Sequence, residues 1–280
     1  ILLEYVLDEG LNIFHGVIDG VSSPVALIGI AEKGYLSLRL SVETAGGHSS
    51  VPPPDNAIDI VSRALQKLNA APFPGELRGA TREMLQFLGP EMSWPRKLAL
   101  ANLWLFEPLI TRQLTASPLT NATVRTTLAL TIFHSGVKEN VLPSRAEAVI
   151  NLRILPGETI AGTIARIQNT IDDKRIQITP LPVQAEPSRV SDITSKSFEQ
   201  LRQTIAQIAP GVLVAPALLV ATTDSRHYAG LTSNIFRFLP ITLRKEDTER
   251  YHGVNERISI ADYLRCIRFY AQLIRNSGRW

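Results

Sequence analysis

Tyr35-Leu36-Ser37-Leu38-Arg39-Leu40-Ser41-Val42-Glu43 alternates without a break. Leu36, Leu38, Leu40 and Val42 share one face, and Ser37, Arg39, Ser41 and Glu43 share the other. Side chains of a strand point to opposite sides in turn, so this is a strand with one apolar and one solvated face. Two further segments read the same way. Val124, Thr126, Leu128, Leu130 and Ile132 share a face of the first, and Ala146, Ala148, Ile150, Leu152 and Ile154 share a face of the second. Between the first and second of these strands, Asp55 is a suitable N-cap for a helix carrying Ile58, Val61, Leu65 and Leu68 at helical spacing. After the third, Pro156-Gly157-Glu158-Thr159 ends the strand and starts a helix lined by Ile160, Ile164, Ile167 and Ile171. Residues 175–179 read as a short fourth strand. The order β-α-β-β-α-β is the split βαβ, ferredoxin-like plan: a four-stranded antiparallel sheet with two helices on one face.

The flanking segments have a different character. Residues 1–7 read as an apolar strand ending in Asp8-Glu9-Gly10, and Pro24 to Ile30 is apolar without alternation, as in a strand covered on both faces. Pro180, Pro182 and Pro187 mark the return crossing. Beyond them Phe198, Leu201, Ile205 and Ile208 line a helix, residues 212–220 and 235–239 read as buried strands, and Ile260, Leu264, Ile267, Ala271 and Ile274 line a final helix. The expected fold class is therefore α/β: residues 1–34 and 187–280 form part of one domain, and residues 35–186 are an inserted α+β domain. Prolines at 72, 74, 90, 95, 108 and 118 break the stretch at about 70–120 into short helices, read as an insertion within the second domain.

Bulk properties exclude several classes. Hydrophobic residues are 45% and charged residues 20% of 280, which is globular rather than disordered composition. A net charge of +3, from 29 basic and 26 acidic residues, is too mixed for a nucleic-acid surface. The alternating strands also lack the paired aromatics of an RNA-binding sheet. With Cys266 the only cysteine, neither a disulfide framework nor a cysteine-based zinc site is possible. No run of eighteen apolar residues forms a transmembrane helix. The first residue is Ile1 and a strand begins almost at once, so the chain reads as cut from something longer.

Several polar residues stand where chemistry is done. Glu9 is expected at the C-terminal end of a strand, the edge where open α/β sheets bind ligands. His252 lies in the polar loop Tyr251-His252-Gly253, and imidazole is both a base and a metal ligand. His48 lies in Gly47-His48-Ser49-Ser50, where glycine permits close approach of a substrate and a histidine can donate to a developing oxyanion. Asn140 and Arg153 flank the turn at Pro143, and a guanidinium fork suits a carboxylate. Thr223-Asp224-Ser225-Arg226 follows an apolar strand, with Arg226 a further anion-binding candidate.

Taken together these stretches resemble the dinuclear zinc peptidases of the aminoacylase and carboxypeptidase type, and most closely carboxypeptidase S and the related N-acyl-amino-acid hydrolases. The matching segments, in the family's order, are Leu7-Asp8-Glu9-Gly10, Gly47 to Pro52, Val124 to Thr127, Gly136 to Pro143, Asn151 to Gly157, Thr223 to Arg226 and Tyr251 to Glu256. The resemblance implies a zinc-peptidase catalytic domain, of which this chain holds the C-terminal part, with an inserted lid and dimerisation domain. It implies a two-zinc centre with Glu9 bound to one ion and His252 to the other. It implies His48 polarising the scissile carbonyl, often in the partner subunit's site, and Asn140, Arg153 and Arg226 holding a free carboxylate. The expected substrate is a peptide or N-acyl amino acid, and the expected assembly is a homodimer through the lid. The family's His-x-Asp motif, bridging Asp and Glu-Glu pair are not in these 280 residues, and two ligands cannot hold two zinc ions. The alternative is a catalytically inactive fragment that acts only as a dimerisation module. Ala221-Thr222 stands where Gly-Gly is usual in the family.

Overall fold

The computed structural model describes residues 2–250 and 253–278, without the side chains of residues 248 and 249. In chain order the elements are β1 (Val6–Phe14), β2 (Val25–Glu32), β3 (Gly34–Glu43), β4 (Gly47–His48), α1 (Ala57–Ala70), α2 (Gly79–Leu88), α3 (Trp94–Ala101), α4 (Leu103–Leu114) and α5 (Pro118–Val124). They continue with β5 (Thr127–Ser135), β6 (Val141–Leu142), β7 (Arg145–Ile154), α6 (Ile160–Ile171), β8 (Gln177–Ala185), α7 (Lys196–Ile208), β9 (Leu213–Leu219), β10 (Ile235–Leu243) and α8 (Ile260–Ser277). The chain divides into two compact units, residues 33–75 with 125–187 and residues 1–32 with 76–124 and 188–280.

The inserted unit is a four-stranded antiparallel sheet in the order β5-β7-β3-β8. This is the strand order of the ferredoxin-like plan, with α1 and α6 packed together over one face. The two inner strands supply the core: Leu36, Leu38, Leu40 and Val42 of β3 meet Ala146, Ala148, Ile150, Leu152 and Ile154 of β7, all buried against Ile60, Val61, Ile167 and Ile171. Each such Leu or Ile contributes about 1.5–3 kcal/mol of burial. α1 begins one residue later than expected. Asn56, not Asp55, is its N-cap, accepting from the amides of Ile58 and Asp59 while Asp59 accepts from Asn56 N, a reciprocal capping box. Asp55 instead bridges Arg63 and Arg175.

Three readings change at the strands. β8 runs through Pro180 and Pro182 rather than stopping at residue 179, because as an edge strand it has a side that needs no donors. β5 starts at Thr127, α5 occupies residues up to Val124, and a register irregularity between Leu130 and Ile132 interrupts the expected alternation. The polar face of β3 is not fully solvated. Ser37 and Ser41 are buried among longer neighbours, with Asn151 Nδ2 donating to Ser37 Oγ at 3.0 Å. Where the chain enters this unit, Gly34 has no room for a side chain. A Cβ there would stand 2.8 Å from Ala185 O and from Pro187 N and Cδ.

The outer unit carries a mixed sheet in the order β1-β10-β2-β9, with β1 parallel to β10, β2 parallel to β9, and β10 antiparallel to β2. β2 is buried along its whole length, as its unbroken apolar run requires. The helices of residues 76–124 belong to this unit and not to the inserted one. Leu88, Met84 and Met92 pack with Val25, Leu27, Ala215 and Ala217, so α2 covers β2 and β9. Proline spacing marked these helices but carried no signal of which sheet they cover. Two of these short helices, α3 and α4, meet at Asn102. α8 buries Asp262, Phe269 and Leu273, whereas Ile260, Leu264, Ile267 and Ile274 of the expected core face are exposed.

Candidate functional site

In the outer unit, two candidate stretches meet through Asp8. β1 does not end before Asp8-Glu9-Gly10 but runs through it to Phe14, with its pairing to β10 slipping between Asp8 and Leu11. Glu9 is therefore inside an irregular strand rather than at its end, and its side chain is exposed. Such a bulge re-aims side chains and is common beside active sites. Gly10 sits in it at a φ of +150, where a Cβ would come within 2.9 Å of Arg237 Cβ. The Asp8 carboxylate accepts from Glu9 N at 2.9 Å and from Ser225 N at 2.7 Å, which ties the 3-10 turn Asp224–Tyr228 to β1. Arg226, in that turn, is exposed, while Ser225 is fully buried as its anchor.

Beneath the turn lies a buried ion pair that sequence reading missed. Glu32, at the end of β2, is 2% exposed and Arg237, in β10, is 1% exposed. Glu32 Oε2 accepts from Arg237 Nε at 3.1 Å and from both the amide and hydroxyl of Thr223 at 2.9 Å. Thr223 Oγ1 in turn lies 2.6 Å from Ser225 Oγ. Burial pushes the Arg237 guanidinium down, and the charges of Glu32 and Asp8 push it back up. The chain from Glu32 through Thr223 and Ser225 to Asp8 fixes the backbone on which Asp224 and Arg226 sit. The signal was present: Glu32 and Arg237 are charged residues closing or interrupting apolar runs, and a buried charge requires a partner.

In the inserted unit, His48 and Asn140 come together. β4 and β6 form a two-stranded ladder with His48 opposite Val141, and Ser49 N donates to Asn140 O at 3.2 Å. Both side chains are exposed. His48 Nδ1 receives the Ser50 amide at 3.1 Å and lies 2.8 Å from Ser50 Oγ. A backbone amide only donates, so Nδ1 is the acceptor and the neutral ring carries its hydrogen on Nε2. Arg153 is elsewhere. It pairs with Tyr35 and Thr127, its guanidinium 4.7 Å over the Tyr35 ring. Arg145, at the other end of β7 and next to the His48 ladder, is eight residues away, or about 26 Å along an extended strand.

Lys33 is buried close to Arg153. Its Nζ donates to Arg125 O at 2.7 Å, and burial lowers it to about 7, with Glu158 opposing that fall and Arg153 adding to it. Cys266 is half-buried in α8.

The metal reading meets a limit. His252 lies outside the described residues. Among the described residues no group of three or more His, Cys, Asp or Glu side chains could hold a metal ion. The described residues therefore do not fit a zinc centre by themselves.

Residues 30–179 match the peptidase dimerisation domain of the M20 class. Over 278 residues the chain is 45% identical to a probable carboxypeptidase S-like 2 of Dictyostelium discoideum, covering 99% of this chain and 53% of that protein. Over 280 residues it is 43% identical to an N-fatty-acyl-amino acid synthase/hydrolase, PM20D1, of Xenopus tropicalis, covering 98% and 54%. It thus spans about half the length of these relatives. Its fold is similar to that of an M20 family metallo-carboxypeptidase from Sulfolobus solfataricus, with a TM-score of 0.66 at 16% identity over 97% of this chain and 63% of that one. With more than half its length in the matched domain, and with its fold in agreement, the chain belongs to the M20 peptidase dimerisation-domain family.

Proposed function

We propose that the complete protein hydrolyses the amide bond of a peptide or N-acyl amino acid beside a free carboxylate, and does so as a homodimer. The observation that carries this reading is the hydrogen bond from the Ser50 amide to His48 Nδ1. With Nδ1 occupied by Ser50, an exposed Nε2–H is left to donate to the carbonyl oxygen as it gains negative charge. Such a donor is worth about 3–4 kcal/mol in the transition state. Asn140, beside it, and Arg153 and Arg226 are the proposed holders of the carboxylate. The names of the relatives agree with this substrate class.

The dimer is part of the proposal, not an ornament to it. A single substrate cannot touch His48 and Arg153 of one chain when the length of β7 lies between them. A second copy supplies His48 and Asn140 to a site whose Arg153 comes from the first. Glu9 and His252 remain the proposed ligands of a two-zinc centre, completed from outside these residues. Asp8 is a second candidate for the carboxylate ligand, favoured by the two amide hydrogen bonds that orient it.

The test is subunit complementation in a protein extended to the length of its relatives. His48→Ala and Arg153→Ala variants are each expected to be inactive, and a remixed sample is expected to recover about a quarter of the sites, since half the dimers are mixed and each has one intact site. If mixing restores nothing while both variants still dimerise and exchange, His48 does not act across the interface. The inactive-module alternative is upheld if the extended protein dimerises without amidase activity.

A further inference from the structure

The face of the inserted sheet away from its apolar core holds a row of polar side chains that the proposed chemistry does not yet use. Tyr35 and Arg153 are direct partners across β3 and β7, both half-buried, and Thr127 of β5 lies on the other side of Arg153. The Arg153 guanidinium stands 4.7 Å over the centroid of the Tyr35 ring. The ring has its own support. One step further along the strands, Asn151 Nδ2 donates to Ser37 Oγ at 3.0 Å, and the Ser37 hydroxyl donates to the Tyr35 hydroxyl oxygen at 3.4 Å. Ser37 is 6% exposed, so the prop under the ring is shielded from water. Among the described residues no carboxylate pairs with Arg153 and no acceptor takes a hydrogen bond from it. Glu158, whose charge acts at this end of the sheet, takes the Thr126 hydroxyl at 2.5 Å. Lys33 precedes Tyr35 on the same side of the chain, but it is buried, and its Nζ is turned to Arg125 O and Thr127 Oγ1.

We infer that Tyr35 is the positioning residue of the carboxylate subsite: its ring face holds the Arg153 guanidinium and leaves the N–H edge to the substrate's carboxylate. This rests on the reading of Arg153 as a carboxylate holder. An arginine side chain has many rotamers, and freezing them when a ligand binds weakens the affinity. Contact through a ring face restrains the guanidinium beforehand and uses none of its five N–H donors. The fork therefore keeps the two parallel donors that a carboxylate accepts. An acidic partner would restrain Arg153 as well, but it would occupy the fork and cancel its charge. The hydroxyl of Tyr35 is engaged by Ser37, so the contact with Arg153 belongs to the ring and not to the oxygen.

The test is calorimetric binding of an N-acyl amino acid and of its C-terminal carboxamide. The protein is extended to the length of its relatives and stripped of zinc, so that no turnover intervenes. The readout is the preference for acid over carboxamide, because damage that is merely structural weakens both ligands alike. The unaltered protein is expected to prefer the acid, and Arg153→Ala to lose at least about tenfold of that preference, as a charge-assisted pair is removed. Tyr35→Leu is expected to lose roughly three- to thirtyfold of it, and Tyr35→Phe, which keeps the ring face, to stay within about twofold. Tyr35→Met repeats the measurement if Tyr35→Leu does not fold. A preference unchanged in Tyr35→Leu but lost in Arg153→Ala overturns the role of Tyr35 and leaves that of Arg153 standing. Tyr35→Phe as impaired as Tyr35→Leu also overturns it, since the effect then belongs to the hydroxyl. A protein that binds the acid no better than the carboxamide, or an Arg153→Ala variant that keeps the preference, overturns the reading of Arg153 and this inference with it.

Discussion

Replacing Glu32 by alanine tests the buried network directly. The substitution removes one carboxylate oxygen that accepts from Arg237 Nε, Thr223 N and Thr223 Oγ1. Arg237 then remains 1% exposed with the charge of Asp8 alone to oppose it, and its Nη2 already has no hydrogen-bond partner. Breaking one side of a buried pair costs about 3–5 kcal/mol, chiefly because the surviving charge is left without water or counter-charge. Glu32→Met/Arg237→Met removes both charges and leaves the Thr223 amide unsatisfied, at about 1–3 kcal/mol, while the Thr223 hydroxyl keeps Ser225 Oγ as a partner. The double variant is therefore expected to be more stable than Glu32→Ala, the signature of coupling rather than of additive damage. Urea unfolding followed by near-ultraviolet circular dichroism is the assay. The packed aromatic pairs Tyr5–Phe236 and Phe269–Tyr270 both lie in the outer unit, so the signal follows the unit that holds the ion pair. A loss below about 1 kcal/mol for Glu32→Ala, or a double variant as damaged as the sum of Glu32→Met and Arg237→Met, would refute the reasoning.

Lys33 gives the inserted unit a pH dependence. Its folded value of about 7 lies below that of an unfolded lysine, so between about pH 7 and pH 10 the unfolded chain holds a proton that the folded one has released. Stability of this unit is expected to rise with pH across that window and to be unaffected by this group below it. Lys33→Met should flatten the slope in pH-resolved thermal melts, and an unchanged slope would exclude Lys33 as its source. For metal, the 280 residues are expected to keep less than one zinc per chain after dialysis, because two candidate ligands fall short of the three or four that hold zinc tightly. Stoichiometric zinc by elemental analysis would contradict this.

The inserted sheet was legible because its information is local. An alternating strand declares its buried face, and the ladder of β3 with β7 joins two such strands in full register. What was not legible was set by neighbours distant in sequence. Nothing local tells Pro180 that it will stand on an edge, or tells α2 which sheet it will cover. The same holds at the site. The Gly-His-Ser-Ser loop was visible, but the ring tautomer follows from one Ser50 amide. Asp8 and Glu9 are indistinguishable in a motif, and a strand irregularity decides which of them faces the Ser225 turn. Glu32 and Arg237 lie 205 residues apart, and only the packing of β2 with β10 makes them a pair.

The uncovered rail of isoleucine and leucine along α8 bears on how the chain behaves in a tube. Ile260, Leu264, Ile267 and Ile274 offer solvent a strip of the kind that anilinonaphthalene sulfonate stains. Dye uptake is usually taken as the mark of a molten globule. Here a fully folded chain would already fluoresce, and would drift toward aggregation at high concentration without having lost any tertiary packing. Near-ultraviolet dichroism, not dye binding, is the measure by which a sound preparation of this chain can be told from a damaged one.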